Sequence, residues 1–213
     1  DWQQRWEPLL ARADRVEVET AQVWPSAAPL AAADVVGMFS ANPAWSAARG
    51  AELDTFLARG GGLVLIHYAV NGGSAVAEYA QRIGLAWRNG SKFRHGALDL
   101  DFLAPRRGAT SADAIVAGFH RLHLVDETYW ELSGDESSVR VLATAVEDGQ
   151  PRPQIWAREV GKGRIVGFLP GHYRWTFDDP RVRLLLLRAI AWAGGQPVER
   201  LAELATLGAR LER

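Results

Sequence analysis

The chain has 213 residues, 48% of them hydrophobic and 23% charged, with a formal charge of −1. That length makes a single domain over 1–213 with enough apolar surface to bury a core, and the balanced charge offers no general field to gather nucleic acid or an anionic membrane. Cysteine is absent, which excludes a disulfide framework, a cysteine-based metal site and a thiol nucleophile. Apolar runs as short as Leu184–Leu187 exclude a transmembrane helix, so a soluble protein is expected. The chain opens at Asp1 without a leader pattern, so the sequence leaves the compartment open.

In chain order, Trp2, Trp6, Leu9, Leu10 and Ala13 form a helical stripe over residues 2–13. Arg15–Ala21 alternates charged residues with Val16 and Val18 and reads as an edge strand. Trp24–Leu30 holds Pro25 and Pro29 and reads as a loop. Asp34–Phe39 is a short apolar run of the buried-strand kind. Ala51–Arg59 is a helix closed by Gly60, Gly61 and Gly62. Leu63–Ile66 is the strongest strand signal, and Ser74–Ile83 is a helix ended by Gly84. This alternation predicts a mostly parallel sheet with helices on both faces. The second half is strand-rich: Ala97–Leu103, His120–Trp130, Val139–Ala145, Gln154–Val160 and Gly163–Leu169. Connections as short as Gly161–Lys162 require antiparallel pairs. Asp178-Asp179-Pro180 opens a buried helix, Arg181–Ala193. A last helix shows the stripe Val198, Leu201, Leu204, Leu207 and Leu211.

In open α/β sheets, ligands sit at the carboxyl ends of the strands. His67 ends one strand, Asp126 and Glu127 lie late in another, and His172 follows a third. If these strands run parallel, all three ends share one edge of the sheet, and His95 is within reach in SKFRHG. A lone histidine at a strand end is most often a hydrogen-bonded structural residue; three of only five histidines falling at one edge favours a shared cleft. His120 and His123 read as a solvated strand face without a role. No GxGxxG or GxxxxGK[ST] is present, and Gly60–Gly62 precede their strand, so no nucleotide or flavin is expected.

Seven blocks recur in a familiar order: Gly60-Gly61-Gly62-Leu63-Val64-Leu65-Ile66-His67-Tyr68-Ala69, Val125-Asp126-Glu127-Thr128-Tyr129-Trp130, Val141-Leu142-Ala143-Thr144, Pro153-Gln154-Ile155-Trp156, Gly161-Lys162-Gly163-Arg164, Pro170-Gly171-His172 and Ile190-Ala191-Trp192-Ala193. Together they resemble the trehalose-utilisation (ThuA-like) family from about Asp34 to Gly195, in a branch common among bacteria. The resemblance implies a flavodoxin-like, class I glutamine amidotransferase-like fold with added antiparallel strands. In catalytic relatives of that superfamily a cysteine stands on the turn after the strand equivalent to LVLI. Here His67 takes that turn, so cysteine-dependent chemistry is excluded. Two departures stand out. The family's first strand and its histidine-bearing loop have no counterpart, and a His-Pro pair ahead of Gly118-Phe119 is replaced by Asp113-Ala114-Ile115.

The resemblance implies a bacterial protein acting on a small carbohydrate, of trehalose or keto-sugar type, with the choice between cytoplasm and periplasm left open. His67, Glu127 and His172 are the candidate catalytic residues. Two imidazoles and a carboxylate also suit a divalent zinc or manganese with an open position. Tyr68, His95, Asp126, Tyr129 and Trp175 are the candidate substrate-binding residues. The competing reading is a non-catalytic glycan-binding or assembly module. An unpaired sheet edge would make a homo-oligomer plausible.

Overall fold

The computed structural model describes residues 2–41, 45–103 and 110–208. Helix α1 (Trp2–Leu10) buries Trp6 and Leu9, as its stripe requires. Residues 15–21 form no strand. Val16 packs against the core, but one or two valines among charged residues bury too little to order a strand that has no neighbour. The stretch expected as a loop carries a short helix, α2 (Ala27–Ala32). Pro29 sits in its first turn, where a missing N–H leaves no intrahelical acceptor unserved.

Strand β1 (Val35–Met38), helix α3 (Ala47–Ala58), strand β2 (Gly62–Ile66) and helix α4 (Val76–Ile83) follow. Helix α3 begins ahead of the predicted Ala51 because Ser46 caps it, accepting from the Arg49 N–H. The remaining strands are β3 (Leu85–Ala86), β4 (Lys92–Phe102), β5 (Arg121–Trp130), β6 (Ser133–Gly134), β7 (Arg140–Glu147), β8 (Gln150–Val160) and β9 (Gly163–Phe168). Helix α5 (Pro180–Ala193) starts with Asp179 accepting from the Arg181 N–H at 2.8 Å and proline at its first position. The last predicted helix forms over Val198–Thr206 and is of the 3₁₀ kind. Its apolar residues 198, 201, 204 and 207 recur every three positions, and residues three apart eclipse in a 3₁₀ helix. Leu201 and Leu204 are buried while Leu207 is exposed; Leu211 lies outside the described residues.

The main sheet has seven strands in the order β1-β2-β9-β8-β7-β4-β5, and β3 with β6 forms a small separate ribbon. β1, β2 and β9 are parallel. β8 is antiparallel to β9, β7 to β8, β4 to β7 and β5 to β4. Counting reversals along the sheet, β5 points the same way as β2 and β9. The ends carrying Glu127, His67 and His172 therefore lie at one edge. Strand β4 pairs with β7 only at Asp101 and Phe102, whereas it pairs with β5 from Lys92 to Asp101. The rest of that hairpin is free to curl the sheet back toward β2, and Gln154 of β8 donates to the Tyr129 carbonyl at 2.9 Å.

Two cores flank the sheet. Val64 and Ile66 face α1, α5 and the last 3₁₀ helix, while Leu63 and Leu65 face α3 and α4, the alternation a doubly covered strand shows. Gly62 lets α5 approach: a Cβ there would lie 2.4 Å from the Ala193 carbonyl oxygen. No helix among the described residues is long and apolar enough to cross a membrane.

Candidate functional site

His67 is the first residue beyond β2, and its φ is +54°. A non-glycine residue in the left-handed region carries local strain, and such strain concentrates at functional turns. Two features hold it there. Its ring Nδ1 lies 2.9 Å from the Leu169 carbonyl, and its face stacks on Tyr129 at 5.0 Å and 22°. A carbonyl only accepts, so Nδ1 carries a hydrogen, and in the neutral ring Nε2 presents a lone pair.

Three groups meet at that lone pair, making a cluster of four. His67 Nε2 is 3.0 Å from the Tyr129 hydroxyl, 3.2 Å from Glu127 Oε2 and 3.2 Å from His172 Nδ1. Glu127 Oε2 accepts from Tyr129 at 2.9 Å and lies 2.9 Å from His172 Nδ1. Both neighbours of His172 Nδ1 are acceptors, so that nitrogen carries its ring's hydrogen. The cluster then holds two hydrogens, on Tyr129 and His172, for two acceptors, Glu127 Oε2 and His67 Nε2. It is balanced without a further proton.

Burial pushes the Glu127 carboxyl up, but the contacts of His67 and Tyr129 and the positive field of the two imidazoles when protonated outweigh it. The net shift is downward. Burial, followed by the neighbouring Glu127 carboxylate, drives the Tyr129 phenol far up, so it stays protonated. Glu127 is buried at 5% exposure although it bears a charge. A buried carboxylate of this kind is retained only where partners compensate it.

The donor atoms of His67, Glu127 and His172 lie within 4.8 Å of one another, and this group can hold a metal ion. Metal bonds of about 2.0–2.1 Å set donor separations of roughly 3.0 Å at right angles and 3.4 Å at tetrahedral angles. The separations here, 2.9, 3.2 and 3.2 Å, fall near that range. The Nδ1–H of His67 on a backbone carbonyl is also the outer contact that ligating histidines ordinarily make.

Asp126 is fully buried and faces inward. Its Oδ1 accepts from the backbone N–H groups of Glu127 at 2.7 Å and His172 at 2.9 Å. Its Oδ2 accepts from the Gly171 N–H at 2.9 Å and from the Thr176 hydroxyl. Burial pushes its carboxyl up and these hydrogen bonds oppose the shift. His95 stands opposite Glu127 across the β4–β5 pair. Its Nε2 is 3.5 Å from Glu127 Oε1 and its Nδ1 is 3.1 Å from the Tyr173 hydroxyl.

Rings wall the site. Centroid contacts run His172–His67 (5.2 Å), His67–Tyr129 (5.0 Å), Tyr129–Trp87 (4.7 Å), Trp87–Phe93 (6.1 Å), Phe93–His95 (5.9 Å) and His95–His172 (4.7 Å), closing a circuit. Tyr68 packs against Trp87 and Tyr129 and is exposed. Trp175 is exposed, stacked on Tyr173 at 4.2 Å, and its indole N–H donates to the Val125 carbonyl at 3.0 Å. The structure thus brings all eight candidates, His67, Tyr68, His95, Asp126, Glu127, Tyr129, His172 and Trp175, to one edge of the sheet. Sequence reasoning passed over Trp87, Phe93, Tyr173 and Thr176. Phe93 had a readable signal, since it alternates with His95 on one strand face.

Elsewhere, His123 pairs with Asp99 at 2.9 Å on the exposed face of the β4–β5 hairpin, and His120 is exposed. Asp113, at the place of the family's His-Pro pair, is buried. It closes a capping box with Thr110 and pairs with Arg140 at 2.7 Å, so it is a structural residue.

An α/β domain with a His–Glu–His group at the carboxyl edge of its sheet, His67 and Glu127 buried and His172 exposed, defines the class. Residues 4–193 match the ThuA family, described as trehalose utilisation, and the chain belongs to that family. Solved structures with the same fold include a ThuA-like protein from Parabacteroides merdae, with a TM-score of 0.58 at 22% identity over 77% of this chain and 71% of that one. A ThuA-like protein from Bacteroides uniformis gives 0.57 at 16% identity, covering 75% and 69%. A cytoplasmic protein from Salmonella typhimurium gives 0.54 at 15% identity, covering 79% and 75%. These likenesses establish a flavodoxin-like fold with added antiparallel strands. A search among curated proteins finds no match.

Proposed function

We propose that this domain acts on a small neutral carbohydrate at the His67–Glu127–His172 group, as an isomerase, lyase or hydrolase of sugar or keto-sugar substrates. The observation that carries the proposal is the meeting of His67 Nε2, Glu127 Oε2 and His172 Nδ1 within 4.8 Å inside a wall of aromatic rings. Membership of a family described by trehalose utilisation supports the link to carbohydrate use. Zinc or manganese is the ion that two imidazoles and a carboxylate suit; once bound, it would polarise a sugar carbonyl or acidify a hydroxyl. Tyr68 and Trp175 offer exposed faces for a sugar ring, and His95 and Tyr173 offer polar groups at the rim.

One observation favours a second reading, acid–base chemistry without a metal: the cluster's two hydrogens already match its two acceptors. A proton taken up at His67 Nε2 would have Glu127 Oε2 beside it at 3.2 Å, which is how a histidine–carboxylate pair moves protons.

The test is metal content by mass spectrometry on untagged protein, wild type beside His67→Ala and His172→Ala, followed by a turnover screen of keto-sugars and disaccharides. One equivalent of zinc or manganese in wild type, lost from both variants at unchanged circular dichroism, together with sugar turnover, is the expected result. Turnover without metal would select the second reading. Neither metal nor turnover, with glycan binding intact in both variants, would overturn the catalytic proposal and leave a binding module.

A further inference from the structure

Asp126 stands next to Glu127 in sequence, yet its carboxylate bonds backbone N–H groups and the Thr176 hydroxyl, not the side-chain groups of the cluster. Its two oxygens take four donors, and three belong to one segment: the N–H groups of Gly171 and His172 and the hydroxyl of Thr176. The same segment carries His172, Tyr173 and Trp175, so one buried carboxylate fixes both the histidine of the triad and the outer ring pair. Gly171 has a φ of +139°, and a Cβ there would lie 2.8 Å from the Phe177 ring. Backbone N–H groups turned inward at such a residue need an acceptor supplied from elsewhere, and β5 supplies it.

We infer that Asp126 is a positioning residue: it holds the 171–176 segment so that His172 Nδ1 is aimed at Glu127 and His67. The inference rests on reading His172 as a working member of the site. Asparagine is nearly the same shape but offers one acceptor oxygen and an NH₂ group. With the oxygen in the Oδ1 place, the NH₂ meets the Gly171 N–H donor to donor. With the oxygen in the Oδ2 place, it meets both Glu127 N–H and His172 N–H. Thr176 can turn its hydroxyl to accept, but a backbone N–H cannot. Either way at least one inward N–H loses its partner, and the segment shifts at His172.

Asp126→Asn, Thr176→Val and Thr176→Ser are compared with wild type by long-range proton–nitrogen NMR of the imidazoles without metal, and by titration with cobalt(II). In wild type both His67 and His172 give Nδ1–H signatures. In Asp126→Asn the His172 signature moves to the Nε2–H form that its exposed edge allows, while His67, held by Leu169, keeps its own. Thr176→Val moves His172 in the same direction by less, and Thr176→Ser restores it. A purely structural role would lower stability and leave the His172 tautomer alone. Cobalt affinity falls about 10- to 100-fold in Asp126→Asn, the range for outer partners of a metal ligand. If Asp126→Asn does not fold, the Thr176 pair carries the test. Unchanged His172 signals in the folded variants overturn the inference, as does unchanged cobalt affinity where wild type binds cobalt. If wild type binds no cobalt, the metal reading falls, and the imidazole spectra still decide the role of Asp126.

Discussion

The hydrogen count in the cluster makes Tyr129→Phe the most informative single change. The phenylalanine ring keeps the stack on His67 and the packing against Trp87. What disappears is one hydroxyl placed between His67 Nε2 at 3.0 Å and Glu127 Oε2 at 2.9 Å. One hydrogen, on His172 Nδ1, then remains for two buried acceptors. Leaving one of them without a donor costs about 1–3 kcal/mol. For a domain of this length that is roughly 2–4 °C of Tm per kcal/mol, or about 2–12 °C in all. Urea denaturation of both proteins measures the cost. A Tyr129→Phe variant as stable as wild type would refute the hydrogen count and the tautomers behind it.

Three further outcomes are expected. His67→Gly should be more stable than His67→Ala by about 1 kcal/mol, since only glycine accepts φ +54° without strain; thermal melts of the two variants measure it. Glu127→Gln should separate from wild type in a pH-dependent way. A carboxyl held below its ordinary value of 4.5 contributes stability above that value and loses it as pH falls through the lowered folded value, so the gap should narrow on acidification from about pH 6 to about pH 3. A constant gap across that window in paired denaturation curves would show that the charge of Glu127 is not what the site compensates. Tyr68→Ala and Trp175→Ala should each weaken glycan binding by about 1 kcal/mol, roughly fivefold in Kd, with metal content unchanged; calorimetry against the sugar that is turned over decides it.

What the sequence made legible follows from period and position. β2 could be read because Leu63–Ile66 is apolar on both faces, as a strand covered on both sides must be. α5 could be read because Asp179 and Pro180 mark its start. The meeting of His67, Glu127 and His172 could be read only as a condition, namely that three strand ends share a direction. The structure meets it through four successive reversals from β9 to β5, and those reversals depend on pairings between distant residues that no local pattern encodes. The departures have physical causes too. Residues 15–21 alternate as a strand does, but alternation states which face would be buried, not whether a neighbouring strand exists to bond with. The last segment showed an apolar period of three, which suits a 3₁₀ helix, and an apolar stripe marks a helix without fixing its kind.

Asp126 and Glu127 show the limit most clearly. They are adjacent acids on one strand, so their side chains point to opposite sides, and alternation alone does not say which side each one takes. One faces the rings and the imidazoles. The other faces the inward N–H groups at Gly171 and His172. Their contrasting environments send the carboxyls in opposite directions, Glu127 down and Asp126 up. Burial acts on both but more strongly on Asp126, and the nearest partners differ as well: imidazoles and a phenol at Glu127, neutral N–H and hydroxyl donors around Asp126. A pair of acids at a strand end thus divides into one that faces the imidazoles of His67 and His172 and one that accepts from the loop, and the division is made by the segment that arrives 45 residues later, at Gly171.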